Sequence, residues 1–542
     1  MGSPLESTLV EYPLSGLPVY DAISYRWGKD SKSTALLCDD AQIPITPEVA
    51  GMLQQLRSTQ CTQRLWIDAI CIDQQMKTER TDQVKLMHHV YRQAAETTIW
   101  LGEEDHATTG AFALINELDV IIERAWTSSG HERWPAFEEM QRSGLPSQED
   151  VRWSNLQMLL LHPWFTRTWV LQEACLSTSL WVQKGSFRIS WQKLLRIILT
   201  LYYSSTSDYF QIRLNTSFNL SRFCLLGRDG TDLLSLLSLT TGMASSDEKD
   251  KIFALVGLAS DHEFVHWLVD YDKPTIEVYT DLAVYYLLQG DIAVLNMASD
   301  PGWRNWHQLP TWVPDWSIWP RAWPMLGNMQ QHDGAHFALD RRPKATVKPR
   351  IDRKSGMLTV RGVIVDHVKW VGRNLPYPLH ISDRDVALLY LQQWQHLANR
   401  QSTYPTGEDV DQAFARTITL DRMPESGCSY SAVFQQYVQQ FESRTFAMKP
   451  QEDGAYSNTY NFHDGVRYTC IKRTFFVTGN GFFGVGPYHL RPGDQVAILD
   501  GGLIPFTIRK AARKDFSLVG DAYIHGIAGR SEGLRFEDIR LV

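Results

Sequence analysis

The sequence predicts an α/β domain with a parallel sheet, followed by a helical region and a smaller β-rich domain. Over residues 12–186, short apolar runs with the length of strands alternate with stretches of helical periodicity. That alternation is typical of βαβ units, which build parallel sheets. From about residue 345 the apolar residues recur at every second position and glycines separate the runs, which indicates antiparallel strands joined by turns.

The stretch 65–102 contains the clearest βαβ unit. The apolar run Leu65–Ile70 predicts a strand, the amphipathic stretch after Asp73 predicts a helix, and Thr97–Leu101 predicts the next strand. Two more apolar runs, Tyr20–Tyr25 and Leu180–Gln183, predict further strands of the same sheet. The order strand, acidic loop, helix, strand is that of a βαβ unit.

The chain is too long for a single hydrophobic core, because it has 542 residues. We predict an α/β domain at 12–186, a helical and tryptophan-rich region at 187–340, and a β-rich domain at 345–542. Residues 108–160 look like a helical insertion in the first domain. The third domain has the pattern of a small antiparallel barrel or sandwich, with a helical insertion at about 381–445.

Composition excludes several classes of partner. The net charge of −8 and the pI near 6.1 argue against binding to nucleic acid or to an anionic membrane. The seven cysteines are scattered without a CxxC pair, so we expect reduced thiols in a cytosolic or nuclear setting and no zinc site. Of the two settings, the prediction is the cytoplasm. The N-terminal residues lack the pattern of a secretory signal, so we expect none. The sequence has no long uncharged apolar stretch, so we expect no membrane-spanning segment.

Asp68 and Asp73 are the first candidate binding residues. Acidic side chains at the carboxyl end of a buried parallel strand lie where open α/β sheets bind ligands, so they would hydrogen-bond a ribose or another polar group. Alternatively, Asp73 caps the following helix and Asp68 pairs with an arginine such as Arg80. Neither residue has a neighbour at metal-ligand spacing, so we predict no metal site.

The opening strand and its loop, YDAISYRWGKD at 20–30, supply the second set of candidates. Glycine permits a tight turn at the end of the strand, which would place the preceding side chains close to the crevice. An ordinary strand end explains the same pattern. The candidate residues here are Ser24, Tyr25, Arg26, Trp27 and Gly28.

The run WFTRTWVLQEAC at 164–175 holds the candidate catalytic residue. On a helix, Trp169 and Glu173 are four residues apart and share one face. A carboxylate beside tryptophan has a raised pKa in an apolar setting, or stabilises a sugar oxocarbenium centre. The alternative is a glutamate that faces solvent beside a core tryptophan.

Two other patterns have simpler explanations. GNGFFG at 479–484 matches the dinucleotide-binding pattern GxGxxG, but glycine and proline follow where that fold needs a helix, so we predict a hairpin turn. Six tryptophans cluster within 21 residues, either as an aromatic pocket for a flat ligand or as packing between domains. They are Trp303, Trp306, Trp312, Trp316, Trp319 and Trp323.

Three ordered motifs together resemble the heterokaryon-incompatibility (HET) domain family of filamentous fungi. YDAISYRWG (20–28) is similar to its first motif, and WFTRTWVLQE (164–173) is similar to its third. The second motif is matched by LWIDAICIDQ with the following ER, QV, M and Y, over residues 65–91. The resemblance implies a role in nonself recognition and regulated cell death when incompatible cells fuse. It also implies a distant relation to Toll-receptor-type (TIR) domains, which have a flavodoxin-like α/β fold.

The same resemblance implies roles for individual residues. In enzymatic TIR-type domains a helix glutamate cleaves NAD at the bond between nicotinamide and ribose, and Glu173 is similar to that residue. Ser24, Arg26 and Trp27 would border the nicotinamide and the phosphates. NAD would be a substrate, and no cofactor is required.

Two alternatives to this enzymatic function stay open. One is a non-enzymatic module that signals by self-association, since many domains of this type only assemble with one another. The other is a repurposed biosynthetic enzyme that acts on an aromatic small molecule bound by the tryptophan-rich region.

Overall fold

The structure is a computed structural model, and it divides the chain into two compact units, Met1–Lys273 and Pro274–Val542. It describes residues 5–28, 31–57, 61–129, 134–204, 230–298, 308–318, 342–374, 384–421, 429–443, 458–512, 514–527 and 534–542, together with residues 206, 210, 212, 214, 220, 224 and 306. The three-domain boundaries predicted from the sequence stay a prediction.

The first unit is a mixture of strands and helices. Its strands are β1 (Glu6–Ser7), β2 (Asp21–Tyr25), β3 (Thr34–Cys38), β4 (Ala41–Ile45), β5 (Leu65–Trp66), β6 (Glu96–Trp100), β7 (Leu180–Lys184) and β8 (Phe187–Ser190). Its α-helices are α1 (Pro47–Leu56), α2 (Asp68–Cys71), α3 (Lys77–Gln93), α4 (Thr108–Ser129), α5 (Phe137–Arg142), α6 (Arg152–Leu160), α7 (Val170–Leu176), α8 (Trp191–Tyr203), α9 (Leu233–Leu239), α10 (Asp250–Val256) and α11 (His262–Val265).

The main sheet of this unit has five strands in the order β5-β2-β6-β7-β8. The first three pairings, β5 with β2, β2 with β6, and β6 with β7, are parallel, and β8 pairs with β7 antiparallel. This confirms the predicted α/β architecture with a parallel sheet. A smaller sheet, β1-β3-β4, accompanies it.

The strand predicted at Leu65–Ile70 is wrong after Trp66. β5 contains Leu65 and Trp66 alone, and α2 begins at Asp68. The backbone N–H of Ala69 donates to Oδ1 of Asp68 at 2.7 Å, and Cys71 N–H donates to the carbonyl of Ile67. Because the aspartate accepts a hydrogen bond from the next backbone amide, it favours a helical turn over a continued strand.

The second unit combines a sheet with helices. Its strands are β9 (Arg350–Asp352), β10 (Met357–Val371), β11 (Arg473–Thr478), β12 (Phe483–Pro487), β13 (Gln495–Leu499), β14 (Phe506–Lys510), β15 (Asp515–Asp521), β16 (Tyr523–Ile524) and β17 (Glu537–Leu541). Its α-helices are α12 (Thr275–Leu288), α13 (Arg384–Ala398), α14 (Val410–Ile418), α15 (Tyr430–Glu442) and α16 (Asn458–Cys470).

The long strand β10 organises the sheet of the second unit. The strand order is β13-β14-β15-β17-β10-β11-β12-β16, and β10 also pairs with β13, so the hydrogen-bonded path returns to its first strand. Irregularities at Ile364/Asp366 and Val368/Trp370 interrupt its register, and such irregularities bend a strand. Pairing is antiparallel as predicted, except between β15 and β17.

The GNGFFG pattern lies in a hairpin turn, as predicted. β11 ends at Thr478 and β12 begins at Phe483, and the two strands pair antiparallel. Thr478 N–H donates to the carbonyl of Phe482 at 2.9 Å, which closes the turn. Gly481 has φ +88°, a conformation that side chains with a Cβ rarely adopt.

Across the described residues, no helix combines the length and the apolar character needed to cross a membrane.

The second unit contains a fully buried ion pair, and its loss gives the first prediction. Arg473 Nη2 lies 2.7 Å from Asp521 Oδ1, and both side chains are at most 1% exposed. Asp521→Ala removes the carboxylate that faces a buried guanidinium, so we expect the free energy of unfolding by urea to fall by about 3–5 kcal/mol.

The matched control is the solvent-exposed pair Arg350–Asp538, whose atoms are 2.5 Å apart. Asp538→Ala should lower the free energy of unfolding by no more than about 1 kcal/mol, because water screens exposed charges. Equal losses in the two variants would contradict the importance of burial.

Candidate active site

The strand order of the first unit defines where a ligand would bind. In chain order the strands of the main sheet are arranged second, first, third, fourth and fifth. Open α/β sheets bind ligands outside the carboxyl ends of their strands, at the point where the strand order reverses. Here the reversal occurs at β2, whose last two residues are Ser24 and Tyr25. The opening motif therefore ends at this point of the sheet.

A chain of three buried side chains connects the first and third motifs at this point. The Ser24 hydroxyl donates to Oε2 of Glu173, and Nε1 of Trp164 donates to Ser24 Oγ at 2.7 Å. Glu173 is 2% exposed, so the alternative of a glutamate facing solvent is wrong. Ser24 and Glu173 are 149 positions apart in the chain, and they meet because α7 returns to the carboxyl end of β2.

The surroundings of Glu173 change its acidity. Burial raises the pKa of Glu173 to about 7, the positive charge of Arg167 and the hydrogen bond from Ser24 lower it, and the negative charge of Asp68 raises it. Near neutral pH both protonation states of this carboxyl are therefore populated. A carboxyl of this kind can stabilise a positive sugar centre when ionised and can donate a proton when neutral.

Arg167 holds the end of β2. Its Nη1 donates to the carbonyl oxygen of Tyr25, and its charge lowers the pKa of Glu173 and of Asp68. Sequence reasoning did not select Arg167 or Trp164 as site residues. Both stand in the same ten-residue motif as Glu173, and that adjacency was the available signal.

Asp68 and Trp27 form the rim of the site. Nε1 of Trp27 donates to both carboxylate oxygens of Asp68, at 3.1 and 2.9 Å. Burial raises the pKa of Asp68, while Arg167, the indole of Trp27 and the Ala69 amide lower it. Trp27 is 42% exposed, so its ring is open to a ligand. The second motif thus contacts the first motif directly after β2.

Comparison with known proteins agrees with these three motifs. Residues 20–173 match the family model described as heterokaryon incompatibility protein (HET). This region of the chain is therefore similar to the HET domain. Residues 391–534 match a second family model, the Het-6 beta-barrel domain, which spans α14–α16 and β11–β16.

One curated relative covers both matched regions. Heterokaryon incompatibility protein 6, OR allele, of Neurospora crassa is 24% identical over 636 aligned positions, which cover 95% of this chain and 90% of that protein. No solved structure matches the chain.

Two predicted ligand-binding residues contact a second cluster that extends beyond the HET match. Arg80 Nη2 donates to Asp247 at 3.0 Å, and the guanidinium lies 3.3 Å from the centroid of the Tyr271 ring. The Tyr271 hydroxyl donates to Asp250 Oδ1 at 2.5 Å, and the indole of Trp169 hydrogen-bonds to the same carboxyl. The expected pairing of Asp68 with Arg80 is therefore wrong.

The second cluster also contains a perturbed acid. Burial raises the pKa of Asp250 to about 6, and the hydrogen bonds from Tyr271 and Trp169 lower it. Because Trp169 directly precedes α7, this cluster fixes the start of the helix that carries Glu173. Asp250 and Tyr271 are outside the three motifs, and sequence reasoning did not select them.

Asp73 has a local role in the structure. Its Oδ1 accepts from Gln75 N–H at 2.9 Å, and its own N–H donates to Glu79. The predicted capping of α3 by Asp73 is wrong, since the residue that precedes α3 is Met76 and no side chain caps the helix there. Asp73 instead shapes the turn between α2 and α3.

The remaining candidates of the opening motif have separate surroundings. Tyr25 is buried, which raises the pKa of its hydroxyl. Arg26 is exposed. Burial lowers the pKa of His162 to about 4, and the charges of Lys184 and Arg26 lower it further. Gly28 is half-buried directly after Trp27. Whether these residues bind a ligand stays a prediction.

The tryptophan cluster in the second unit is described in part. Trp312 is buried and donates from Nε1 to the carbonyl of Gly356 at 2.8 Å, and Trp316 packs edge-on against Tyr279. Trp306 is half-buried, and Trp303, Trp319 and Trp323 lie outside the described residues. Trp312 and Trp316 thus belong to a core, and an aromatic pocket stays a prediction.

Within the described ranges, no group of three or more histidine, cysteine or acidic residues is placed to hold a metal ion.

The raised pKa of Glu173 predicts a pH-dependent stability. Its folded pKa of about 7 exceeds the ordinary 4.5, so the folded state binds more protons between these values and stability falls as the pH rises. Glutamine cannot ionise. As the pH rises from 5 to 8, the free energy of unfolding of the wild type should therefore fall relative to that of Glu173→Gln, by up to about 3 kcal/mol. Urea unfolding of both proteins at several pH values measures this difference.

The exposed Glu149 supplies the control for this measurement. Glu149→Gln should follow the wild-type dependence on pH, because its carboxylate is solvated in both states. If the free energies of unfolding of the wild type and of Glu173→Gln change with pH in parallel, the raised pKa of Glu173 is contradicted.

The contact between Tyr271 and Asp250 gives another prediction. Tyr271→Phe keeps the ring under Arg80 and removes the donor to Asp250, so we expect a loss of about 1–3 kcal/mol in the free energy of unfolding. Tyr12→Phe, at a side chain that is 43% exposed, is the matched control and should change little. A neutral effect of Tyr271→Phe would show that this hydrogen bond is unimportant.

Proposed function

We propose that this chain is an effector of heterokaryon incompatibility, which recognises nonself and triggers regulated cell death when incompatible cells fuse. The match of residues 20–173 to the HET family supports this role. The relative named heterokaryon incompatibility protein 6 supports it further, because the alignment includes nearly the whole of both chains.

The proposed chemistry is hydrolysis of an NAD-like nucleotide at its N-glycosidic bond. The observation that carries it is the Glu173 carboxyl, placed at the switch point of the sheet with a pKa near neutrality. The strand order second, first, third, fourth, fifth is also that of flavodoxin-like sheets, although the last strand is antiparallel here. This order supports the distant relation to TIR-type domains.

In the proposed reaction, the bond between the ribose C1′ and the nicotinamide nitrogen breaks and its electron pair stays on nicotinamide. Ionised Glu173 stabilises the oxocarbenium-like sugar, and water adds to C1′ and releases a proton to the carboxylate and then to solvent. The products are nicotinamide and ADP-ribose. The exposed ring of Trp27 offers a stacking surface for nicotinamide, and Arg26 offers charge for the phosphates.

For this reaction Ser24 must turn away from Glu173. The carboxylate is closed to solvent in this structure, since Glu173 is 2% exposed and Ser24 1%. A change of the Ser24 rotamer, together with movement of Trp27, would open a path from the rim.

The burial of Glu173 favours a second function. A buried carboxyl that accepts a hydrogen bond from Ser24 and feels the charge of Arg167 serves equally well to hold β2 against α7 in a module that signals by self-association. In that case the HET domain contacts a second copy of itself and no bond in NAD is broken. The two functions differ in one measurable product, which is free nicotinamide.

The test is incubation of the purified full-length chain with NAD, with detection of nicotinamide. Glu173→Gln keeps the size of the side chain, so we expect it to stay folded and to release nicotinamide at least about 100-fold more slowly. The same variant should lose toxicity on expression in a fungal host. Glu149→Gln is the control and should behave like the wild type.

Unchanged nicotinamide release by a folded Glu173→Gln variant would contradict the catalytic assignment. If the wild-type chain releases no nicotinamide but kills incompatible fusion cells, the self-association module is the correct function. The self-association module would also be the correct function if Glu173→Gln still self-associates and still causes cell death.

A further inference from the structure

Two cysteines that are far apart in the sequence meet in the first unit. Cys175 Sγ and Cys224 Sγ lie 2.8 Å apart, although 49 positions separate the residues in the chain. A disulfide has a sulfur–sulfur length of about 2.05 Å, so the two atoms need to approach by roughly 0.8 Å to bond. Both residues are thiols in this structure.

We propose that Cys175 and Cys224 are a redox modification site, which a peroxide converts reversibly from a dithiol into a disulfide. This inference does not depend on the enzymatic function proposed above, because it concerns the sulfur pair alone. Both cysteines lie outside residues 20–173, the region that matches the HET domain.

The exposure of the two thiols assigns the order of the reaction. Cys175 is half-buried at the end of α7, so the oxidant reaches it first, whereas Cys224 is 2% exposed. The thiolate of Cys175 attacks one peroxide oxygen and becomes a sulfenic acid, and the other oxygen leaves as water after protonation. Cys224 then attacks that sulfur and releases a second water. Overall, two thiols and one hydrogen peroxide give one disulfide and two waters.

The position of Cys175 gives the bond a structural consequence. Cys175 follows Glu173 by two residues on α7, and Ser177 Oγ donates to the carbonyl of Glu173 at 2.6 Å at the end of the same helix. A bond from Cys175 to Cys224 ties this short helix to a segment that precedes the second cluster in the chain. Oxidation therefore cross-links the element that carries the candidate catalytic residue.

The test uses the full-length chain, reduced and then treated with hydrogen peroxide. After denaturation and blocking of thiols with N-ethylmaleimide, trypsin cuts the chain without a reducing agent. We expect a cross-linked pair of peptides, residues 168–184 with residues 223–228, and a fall from seven to five blocked cysteines per chain. Dithiothreitol should restore seven, and the oxidised chain should unfold at a higher temperature because the bond constrains the unfolded state.

Cys175→Ser and Cys224→Ser should each abolish the cross-linked pair. Cys61→Ser is the matched control, since Cys61 is an exposed thiol, and it should leave the cross-link unchanged. If a serine variant is unstable, the peptide map of the wild-type chain still shows whether the disulfide forms. The proposal is overturned if peroxide oxidises Cys61 without forming the pair, or if the new disulfide joins other cysteines.

Discussion

The buried hydrogen bond between Ser24 and Glu173 is the interaction that joins the first and third motifs in the first unit. A carboxylate out of water is costly unless charge and hydrogen bonds compensate it. Ser24 supplies the hydrogen bond, Arg167 supplies the opposite charge, and Trp164 fixes the serine hydroxyl from its other side. Since Ser24 lies on the strand between β5 and β6, the carboxyl can be placed there only when the parallel sheet has assembled.

A second group of contacts supports the same helix from its other end. Trp169, directly before α7, hydrogen-bonds to Asp250, and Tyr271 donates to that carboxyl while Arg80 covers the tyrosine ring. The helix that carries Glu173 is thus held by a residue of the second motif and by residues beyond the family match. This explains why a short helix can keep a costly carboxyl in one place.

Much of the fold was predictable because its signals are local. The strands predicted at Tyr20–Tyr25, Thr97–Leu101 and Leu180–Gln183 agree with β2, β6 and β7 to within one residue at each end. The GNGFFG hairpin turn was also predictable from the sequence, because glycines mark the tight turn between two β-rich runs. The prediction failed at Leu65–Ile70, where apolar periodicity continued but the Asp68 side chain started a helical turn.

By itself, the sequence determined strands such as β2, β6 and β7, their order along the chain and the three motifs, because periodicity and turn residues act over a few positions. Only the tertiary structure decided the partners of the site residues. Asp68 pairs with Trp27 across 41 residues, and Arg80 with Asp247 across 167. Such pairs depend on strand order and helix packing, which no local pattern encodes. For the same reason the structure, and not the motif, showed that Glu173 is enclosed.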